Sequence, residues 1–206
     1  MRYIAYLIVL FGFIGSANAG SYEQFFRAVV RNDAAAVIEL IDRGFDANAR
    51  DESGQPAIIR ALRTESDDVA LALAKDARLD PNVRNSANET ALMWAAMRGH
   101  VPVCEVLIAR GAAVDRPGWT PLHYAASGNQ LAVARLLLSS GAAVDARSPN
   151  GRTPLMQAAR YGNEELVELL LRNGADRSAT DRDGGTAADA ARASGREWLA
   201  DKLQPR

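Results

Sequence analysis

Short segments with small apolar residues alternate with longer apolar runs along most of this chain. The short segments begin at Thr90, Thr120, Thr153 and Thr186, so they recur at spacings of 30, 33 and 33 residues. Each of the first three is followed by a longer apolar run, such as residues 133–138, that comes a few residues before a glycine. Threonine is favoured just before a helix, and glycine just after it. The pattern therefore predicts a repeated pair of helices, joined by a tight turn and followed by a loop.

The clearest short segment is T-P-L-H-Y-A-A, which begins at Thr120. Pro121 suits the first turn of a helix, where its missing N–H is not needed, and Thr120 can cap the exposed amides. Ala125 and Ala126 are small enough for a neighbouring helix to pack closely. This motif, at a period near 33 residues, resembles that of the ankyrin-repeat family. The resemblance implies an all-α fold, an ankyrin-repeat solenoid of stacked helix-turn-helix units joined by hairpin-like loops.

The same alignment predicts one ankyrin-repeat domain, residues 20–206, with six repeats. Their approximate bounds are 22–50, 51–84, 85–116, 117–147, 148–180 and 181–203. The first and last repeats are expected to be caps, because the ends of a repeat stack need a polar outer face. The second repeat is the most degenerate, since Arg78 stands where other repeats have glycine. A non-glycine residue is costly in a left-handed cap, so we expect a weak repeat or a helix that ends differently.

Residues 1–19 predict a cleaved secretory signal peptide rather than a part of the fold. Arg2 supplies a positive end, residues 3–14 are almost wholly apolar, and residues 17–19 match an A-x-A cleavage site. An apolar run of about a dozen residues is shorter than the roughly 20 that span a bilayer. We therefore expect a bacterial, periplasmic protein that begins at Gly20 after cleavage and has no membrane anchor.

Composition and charge narrow the choice of function. The chain carries 24 Lys and Arg against 25 Asp and Glu, and this balance gives no reason to expect nucleic acid as a partner. A single cysteine, Cys104, excludes an intramolecular disulfide and a cysteine-rich metal site. In ankyrin repeats, the positions of His100 and His123 have structural roles. We therefore expect no catalytic residue, no metal, no cofactor and no enzymatic activity.

The resemblance implies that a partner binds the concave face formed by the first helices and the loop tips. Aligning the repeats predicts one exposed column with Arg27, Arg60, Trp94, Tyr124 and Gln157. Arg, Trp and Tyr are enriched at binding hot spots. Trp119 joins them because it fills the tip of a loop that is three residues shorter than its counterpart. The candidate partner-binding residues are Arg27, Arg60, Arg63, Trp94, Met97, Arg98, Trp119, Tyr124, Arg160 and Tyr161.

Three functional hypotheses follow from these patterns. The first is a monomeric, non-enzymatic protein-binding scaffold in the bacterial periplasm, whose partner has an acidic and apolar patch. Resemblance to secreted bacterial ankyrin proteins implies a periplasmic enzyme that it protects, or a toxin that it neutralises. The second is an exported effector that binds host proteins. The third is an enzyme or redox sensor built on Cys104, although a buried structural cysteine is the commoner state of such a residue.

Overall fold

The computed structural model describes residues 20–204, so the predicted signal peptide, residues 1–19, lies outside the described residues. The described chain contains twelve helices. In chain order they are α1 (20–30), α2 (Ala34–Asp42), α3 (Ala57–Arg63), α4 (Asp67–Lys75), α5 (Ala91–Arg98), α6 (Val101–Ala109), α7 (Pro121–Ser127), α8 (Leu131–Ser139), α9 (Pro154–Tyr161), α10 (Glu164–Arg172), α11 (Ala187–Arg192) and α12 (Glu197–Leu203). Among these helices, none combines the length and the apolar character needed to cross a membrane.

Contacts along the chain divide it between Asp80 and Pro81 into two compact units. Unit 1 contains α1–α4, and unit 2 contains α5–α12. Within each unit the helices come in pairs, which matches the helix-turn-helix repeat that the sequence predicts.

Four helices of unit 2 begin after a threonine, as the sequence predicts. The threonines are Thr90, Thr120, Thr153 and Thr186, which precede α5, α7, α9 and α11. In α5, the Thr90 N–H donates to Met93 Sδ at 3.4 Å, and the Met93 N–H donates to Thr90 Oγ1 at 3.3 Å. This reciprocal cap satisfies two amides that a helix start would otherwise leave unpaired.

Glycines end the second helix of most repeats, also as predicted. Gly44, Gly111, Gly141 and Gly174 follow α2, α6, α8 and α10, with φ angles of 99°, 87°, 89° and 88°. The second repeat ends its helix differently, which was one of the two expectations for Arg78. Its cap residue, Asp76, is extended, with φ −70° and ψ 125°. No left-handed residue is needed there, so the arginine is tolerated.

Arg78 instead joins the two second helices of unit 1. Its Nε donates to Asp76 Oδ1 at 2.8 Å, and its Nη2 donates to Asp42 Oδ1 at 2.8 Å. Its Nη1 donates to the Ile41 carbonyl at 3.1 Å, near the C-terminal end of α2. These carboxylates raise the pKa of Arg78 above its ordinary value. One side chain thus ties the end of α2 to the loop after α4.

Hairpin loops lead into α3, α5, α9 and α11. In each loop, the first residue makes two hydrogen bonds to the residue four positions later. Its N–H donates to the carbonyl of that later residue, and its side-chain oxygen accepts the N–H of that later residue. These first residues are Asp51, Asn85, Ser148 and Asp181, and the backbone bonds measure 2.9 to 3.0 Å. The fourth residue of each five-residue loop has a left-handed backbone conformation. In the loop before α5 this residue is Asn88, with φ 63°. These hydrogen-bonded loops project beside the four helices that they precede.

A polar side chain also connects successive repeats within each unit. Asn82 Nδ2 donates to the Gly111 carbonyl at 3.1 Å, and its Oδ1 accepts the Ala113 N–H at 2.9 Å. Asp115 is the corresponding residue of the next repeat, and its Oδ2 accepts the Ala143 N–H at 2.7 Å. Asp115 Oδ1 is buried and makes no hydrogen bond within the described part of the chain. The two junctions are therefore equivalent in position but not in their hydrogen bonds.

A large part of the core of unit 2 lies between successive first helices. α5 packs against α7, α7 against α9, and α9 against α11. The alanine pairs of the motif are fully buried there, as the sequence predicts for Ala95, Ala96, Ala125, Ala126, Ala158 and Ala159. Close approach is needed next to these pairs, because a Cβ on Gly128 would lie 2.2 Å from the Met97 carbonyl oxygen. This packing fixes the spacing of the side chains that point away from the core.

Candidate partner-binding surface

Trp94 and Tyr124 lie side by side on neighbouring helices of unit 2. Trp94 belongs to α5 and Tyr124 to α7, and both side chains are half-buried. Their ring centroids are 6.4 Å apart, and the rings are inclined at 63°. This is the edge-to-face arrangement that aromatic pairs prefer. The structure thus brings together the two aromatic residues that the sequence singles out.

Glu89 holds this pair in place from the end of the hairpin loop. Tyr124 OH donates to Glu89 Oε1 at 2.7 Å, and Trp94 Nε1 donates to Glu89 Oε2 at 3.0 Å. Asn85 Nδ2 donates to Oε2 as well, at 2.7 Å. Burial, and then the bond to Glu89, raise the pKa of Tyr124, so the phenol keeps its proton. We call Glu89, Trp94 and Tyr124 the aromatic cluster; its rings are oriented before any partner arrives.

Trp119 packs on His123 rather than on the aromatic cluster. The two ring centroids are 5.2 Å apart, and the rings are inclined at 78°. The Thr120 N–H donates to His123 Nδ1 at 3.2 Å, which makes Nδ1 an acceptor and places the proton on Nε2. That nitrogen is 2.9 Å from the Arg152 carbonyl and donates to it. His123 is fully buried, and burial lowers its pKa, so it is a neutral structural residue.

The predicted residues on α9 do not all face outward. Tyr161 is 55% exposed, and the Arg160 guanidinium carbon lies 5.5 Å from its ring centroid. Gln157 was expected in the exposed column, but that prediction is wrong because its side chain is only 4% exposed. It lines a small cavity together with Arg160, Asp189 and Ala190, where α9 packs against α11. Of the remaining predicted residues on α5, Met97 is half-buried and Arg98 is exposed.

Two of the three predicted arginines of unit 1, Arg27 and Arg60, line an open groove of about 640 Å³. Arg27 is exposed and forms an ion pair with Glu23, one turn earlier in α1. Arg60 is half-buried, and its Nη1 lies 2.7 Å from Asp51 Oδ2. Tyr22, Phe26 and Val30 add apolar surface to the groove, and Val30 is 48% exposed. Arg63 is exposed at the end of α3.

Asp51 is held by its own loop as well as by Arg60. Its Oδ1 accepts the N–H groups of Ser53 and Gln55, both at 2.9 Å. Burial alone would raise the pKa of Asp51, but hydrogen bonds from the Ser53 hydroxyl, from these N–H groups and from Arg60 outweigh it and lower the pKa. The carboxylate is therefore charged at neutral pH and fixes the Arg60 side chain in the groove.

The described residues include few side chains arranged for catalysis or metal binding. Within residues 20–204, no group of three metal-ligating side chains lies together. Cys104 is fully buried in α6, and burial raises the pKa of its thiol to about 12. A buried protonated thiol is a poor nucleophile, which speaks against the redox hypothesis. His100 caps α6, where its Nδ1 accepts the Val103 N–H at 3.4 Å.

Sequence reasoning missed Glu89, Arg84 and Arg116. Arg84 and Arg116 both donate hydrogen bonds to Asn88, in the same hairpin loop as Glu89. One signal was present in the sequence, because arginine recurs just before or at the hairpin loops, at positions 50, 84, 116 and 147. Nothing comparable marks Glu89, whose counterparts in other repeats are Gln55, Arg152 and Gly185.

Helix pairs that recur with reciprocal threonine caps and glycine ends place this chain among the helical repeat proteins. Residues 78–148 match a family of ankyrin repeats in three copies, and residues 150–182 match a single ankyrin repeat. The chain therefore contains ankyrin repeats, and its fold is the all-α ankyrin-repeat solenoid that the sequence predicts. Ankyrin repeats generally mediate contacts between proteins, and their fold is typically a non-enzymatic binding scaffold.

Two much longer proteins share this similarity. An intracellular phospholipase A2 of Caenorhabditis elegans is 34% identical over 116 residues, which are 52% of this chain and 11% of that protein. Alpha-latrocrustotoxin-Lt1a of Latrodectus tredecimguttatus is 32% identical over 91 residues, which are 44% of this chain and 6% of the toxin. The similarity covers only a small part of either relative, so it describes the repeats and not a shared activity.

Proposed function

We propose that this protein is a non-enzymatic scaffold that binds one protein partner through the first-helix and loop side of its repeats. The aromatic cluster carries the proposal. Trp94 and Tyr124 keep part of their rings exposed on neighbouring helices, and Glu89 fixes both of them. Preorganised rings lose little conformational entropy on binding, which is why such residues serve as anchors.

The proposed cellular setting is the bacterial periplasm, after cleavage of residues 1–19. It is supported by the apolar run and the A-x-A motif of that segment. Protection of a periplasmic enzyme and neutralisation of a toxin both fit such a scaffold. Cell fractionation and mass spectrometry of the mature N-terminus test this part: we expect a periplasmic protein that begins at Gly20. A protein found in host cells or in the culture supernatant would favour an exported effector instead.

Affinity purification from the native periplasm tests the scaffold itself. The tagged protein should capture one dominant partner, identified by mass spectrometry. Substituting both Trp94→Ala and Tyr124→Ala should abolish that capture while leaving the helical circular dichroism unchanged. Trp198→Ala is the matched control, because Trp198 is a 53% exposed tryptophan on α12, away from the aromatic cluster. Capture that survives the double substitution would refute the role of the aromatic cluster.

A further inference from the structure

Two arginines from successive repeats meet at the tip of one hairpin loop in unit 2. Arg84 Nη1 donates to Asn88 Oδ1 at 3.2 Å. Arg116 Nη1 donates to the backbone carbonyl of the same residue. Asn88 is left-handed, with φ 63°, and presents its side chain and its carbonyl to the two guanidinium groups. We call Arg84 and Arg116 the arginine pair.

Inside residues 20–204 the arginine pair is hydrogen-bonded but not ion-paired. Neither guanidinium forms an ion pair with a carboxylate in the described part of the chain, and their hydrogen bonds go only to neutral oxygens. Burial, and then the proximity of Arg84, lower the pKa of Arg116. A guanidinium has five N–H donors, and Asn88 takes one from each arginine. An anion placed between them would relieve the repulsion and use the remaining donors.

The surrounding sequence reinforces this local charge. Residues 81–162 contain eight arginines and four carboxylates, although the whole chain has a net charge of −1. Three of the four carboxylates already have internal partners. Glu89 accepts from Trp94 and Tyr124, and Asp115 and Asp145 accept backbone N–H groups. Arg152 is neutralised by Asp181, which lies outside the stretch, but seven arginines remain against four carboxylates, three of which are occupied.

We propose that the arginine pair seats a carboxylate of an acidic protein segment, while an adjoining apolar side chain of that segment rests on Trp94 and Tyr124. Both arginines bind Asn88, and its neighbour in the chain, Glu89, binds both rings, so the anion seat adjoins the rings. The planar forks of two arginines suit a carboxylate. Nucleic acid fits less well, because each nucleotide carries a phosphate and one of these would lie near Glu89. A protein segment can instead place one carboxylate at the arginine pair and an apolar side chain beside Glu89. This inference rests on the proposed function and names the chemistry of its partner.

Peptide titration of the purified protein, followed by tryptophan fluorescence, tests the inference. The probes are a synthetic peptide that alternates glutamate with leucine, the same peptide with glutamine for glutamate, and a single-stranded oligonucleotide. The wild-type protein should bind the acidic peptide most tightly. The variant R84Q/R116Q should bind it about tenfold more weakly, as expected when two charged anchors of a binding surface are lost.

Two further variants separate a specific seat from general charge. R43Q/R135Q removes the same total charge from exposed positions at the end of α2 and on α8, and should bind like the wild type. R84Q alone leaves the Arg116 bond to Asn88 intact and should lose part of the affinity.

Four results would overturn the inference. One is an equal loss of affinity in R84Q/R116Q and R43Q/R135Q, and another is binding of the glutamine peptide as tightly as the acidic one. The third is tighter binding of the oligonucleotide than of the acidic peptide. A captured partner that depends on Trp94 and Tyr124 but not on the arginine pair would also refute this inference, and would leave the proposed function standing.

Discussion

The hydrogen bonds of His123 fix its tautomer, and its burial fixes its charge. The folded-state pKa lies below the ordinary value of 6.5, so the unfolded chain takes up this proton first as the pH falls. The contribution of His123 to stability is therefore complete above about pH 6.5 and is lost as the pH falls toward the folded-state pKa. In that window we expect the free energy of unfolding to fall by up to about 1.4 kcal/mol per pH unit.

Urea denaturation at two pH values, on either side of the ordinary histidine pKa, measures this effect. The wild-type protein should lose more stability between them than His123→Asn, whose side chain does not titrate. The free energies of unfolding of the two proteins should therefore converge as the pH falls. Parallel pH dependence in the two proteins would contradict the assignment of a buried neutral histidine.

Arg78 gives a prediction opposite to the one that repeat alignment suggests. Glycine occupies this position in other repeats, so Arg78→Gly would be expected to stabilise the chain if the alignment alone decided. In the structure the helix ends without a left-handed residue, and the arginine binds Asp42, Asp76 and the Ile41 carbonyl. We therefore expect Arg78→Gly to lower the melting temperature, and by more than Arg43→Gly. An equal or higher melting temperature would show that these bonds add nothing.

At the scale of the helix pair, Gly128 is needed for space and Gly141 for conformation. A Cβ at position 128 would press against the Met97 carbonyl oxygen, whereas Gly141 has φ 89° and open space around it. Gly128→Ala should therefore destabilise the protein by about 3 kcal/mol, as severe overpacking does. Gly141→Ala should cost about 1 kcal/mol for its left-handed conformation. Chemical denaturation of both variants tests which substitution costs more stability. A smaller loss in Gly128→Ala than in Gly141→Ala would mean that α5 and α7 can move apart to make room for the added methyl group.

The junctions between repeats offer a stabilising substitution. Asn82 donates and accepts one hydrogen bond at its junction, but Asp115 only accepts, and its Oδ1 stays buried without a partner. Asp115→Asn supplies an N–H toward the Gly141 carbonyl, which corresponds to the Gly111 carbonyl that Asn82 binds. We expect a gain of about 1 kcal/mol, the usual worth of one added hydrogen bond.

Asp145→Asn is the control for this substitution. Both oxygens of Asp145 already lie near the Asp176 N–H, at 3.1 and 3.3 Å. Its replacement should therefore gain less than that of Asp115, as measured by the midpoint of thermal unfolding. A loss of stability in Asp115→Asn would mean that the charge of Asp115 outweighs the missing bond.

At the scale of the whole molecule, the binding proposal predicts salt dependence despite a net charge near zero. Screening acts on local charge, and residues 81–162 carry an excess of arginine. The affinity for the glutamate–leucine peptide should fall steadily as NaCl rises from low to physiological concentration, and R84Q/R116Q should show a shallower slope. A slope that is unchanged in this variant would place the peptide elsewhere on the protein.

The sequence predicted the fold well because each repeat carries its own local signals. Threonine caps, glycine ends and alanine pairs depend on neighbouring residues only, so the helices could be placed before the structure. The candidate surface was predicted less completely. The pairing of Trp94 with Tyr124 followed from the alignment, but no repeated residue marks Glu89. Arginine recurs beside the hairpin loops, yet that recurrence does not show that Arg84 and Arg116 meet at one residue. Gln157 failed because its burial depends on how α9 packs against α11.

The unequal junctions of Asn82 and Asp115 also bear on how unit 2 comes apart. In a repeat array, local opening spreads from an end, and each junction decides how readily it passes to the next repeat. Unfolding that begins at α12 reaches the junctions of Asp145 and Asp115 first, where the side chain only accepts hydrogen bonds. It reaches the junction of Asn82 last. For unfolding that begins at α12, amide hydrogen exchange should therefore be slower in the repeat that contains α5, which supplies Glu89 and Trp94, than in the repeat that contains α11. The proposed partner surface would then be anchored in the last part of unit 2 to open.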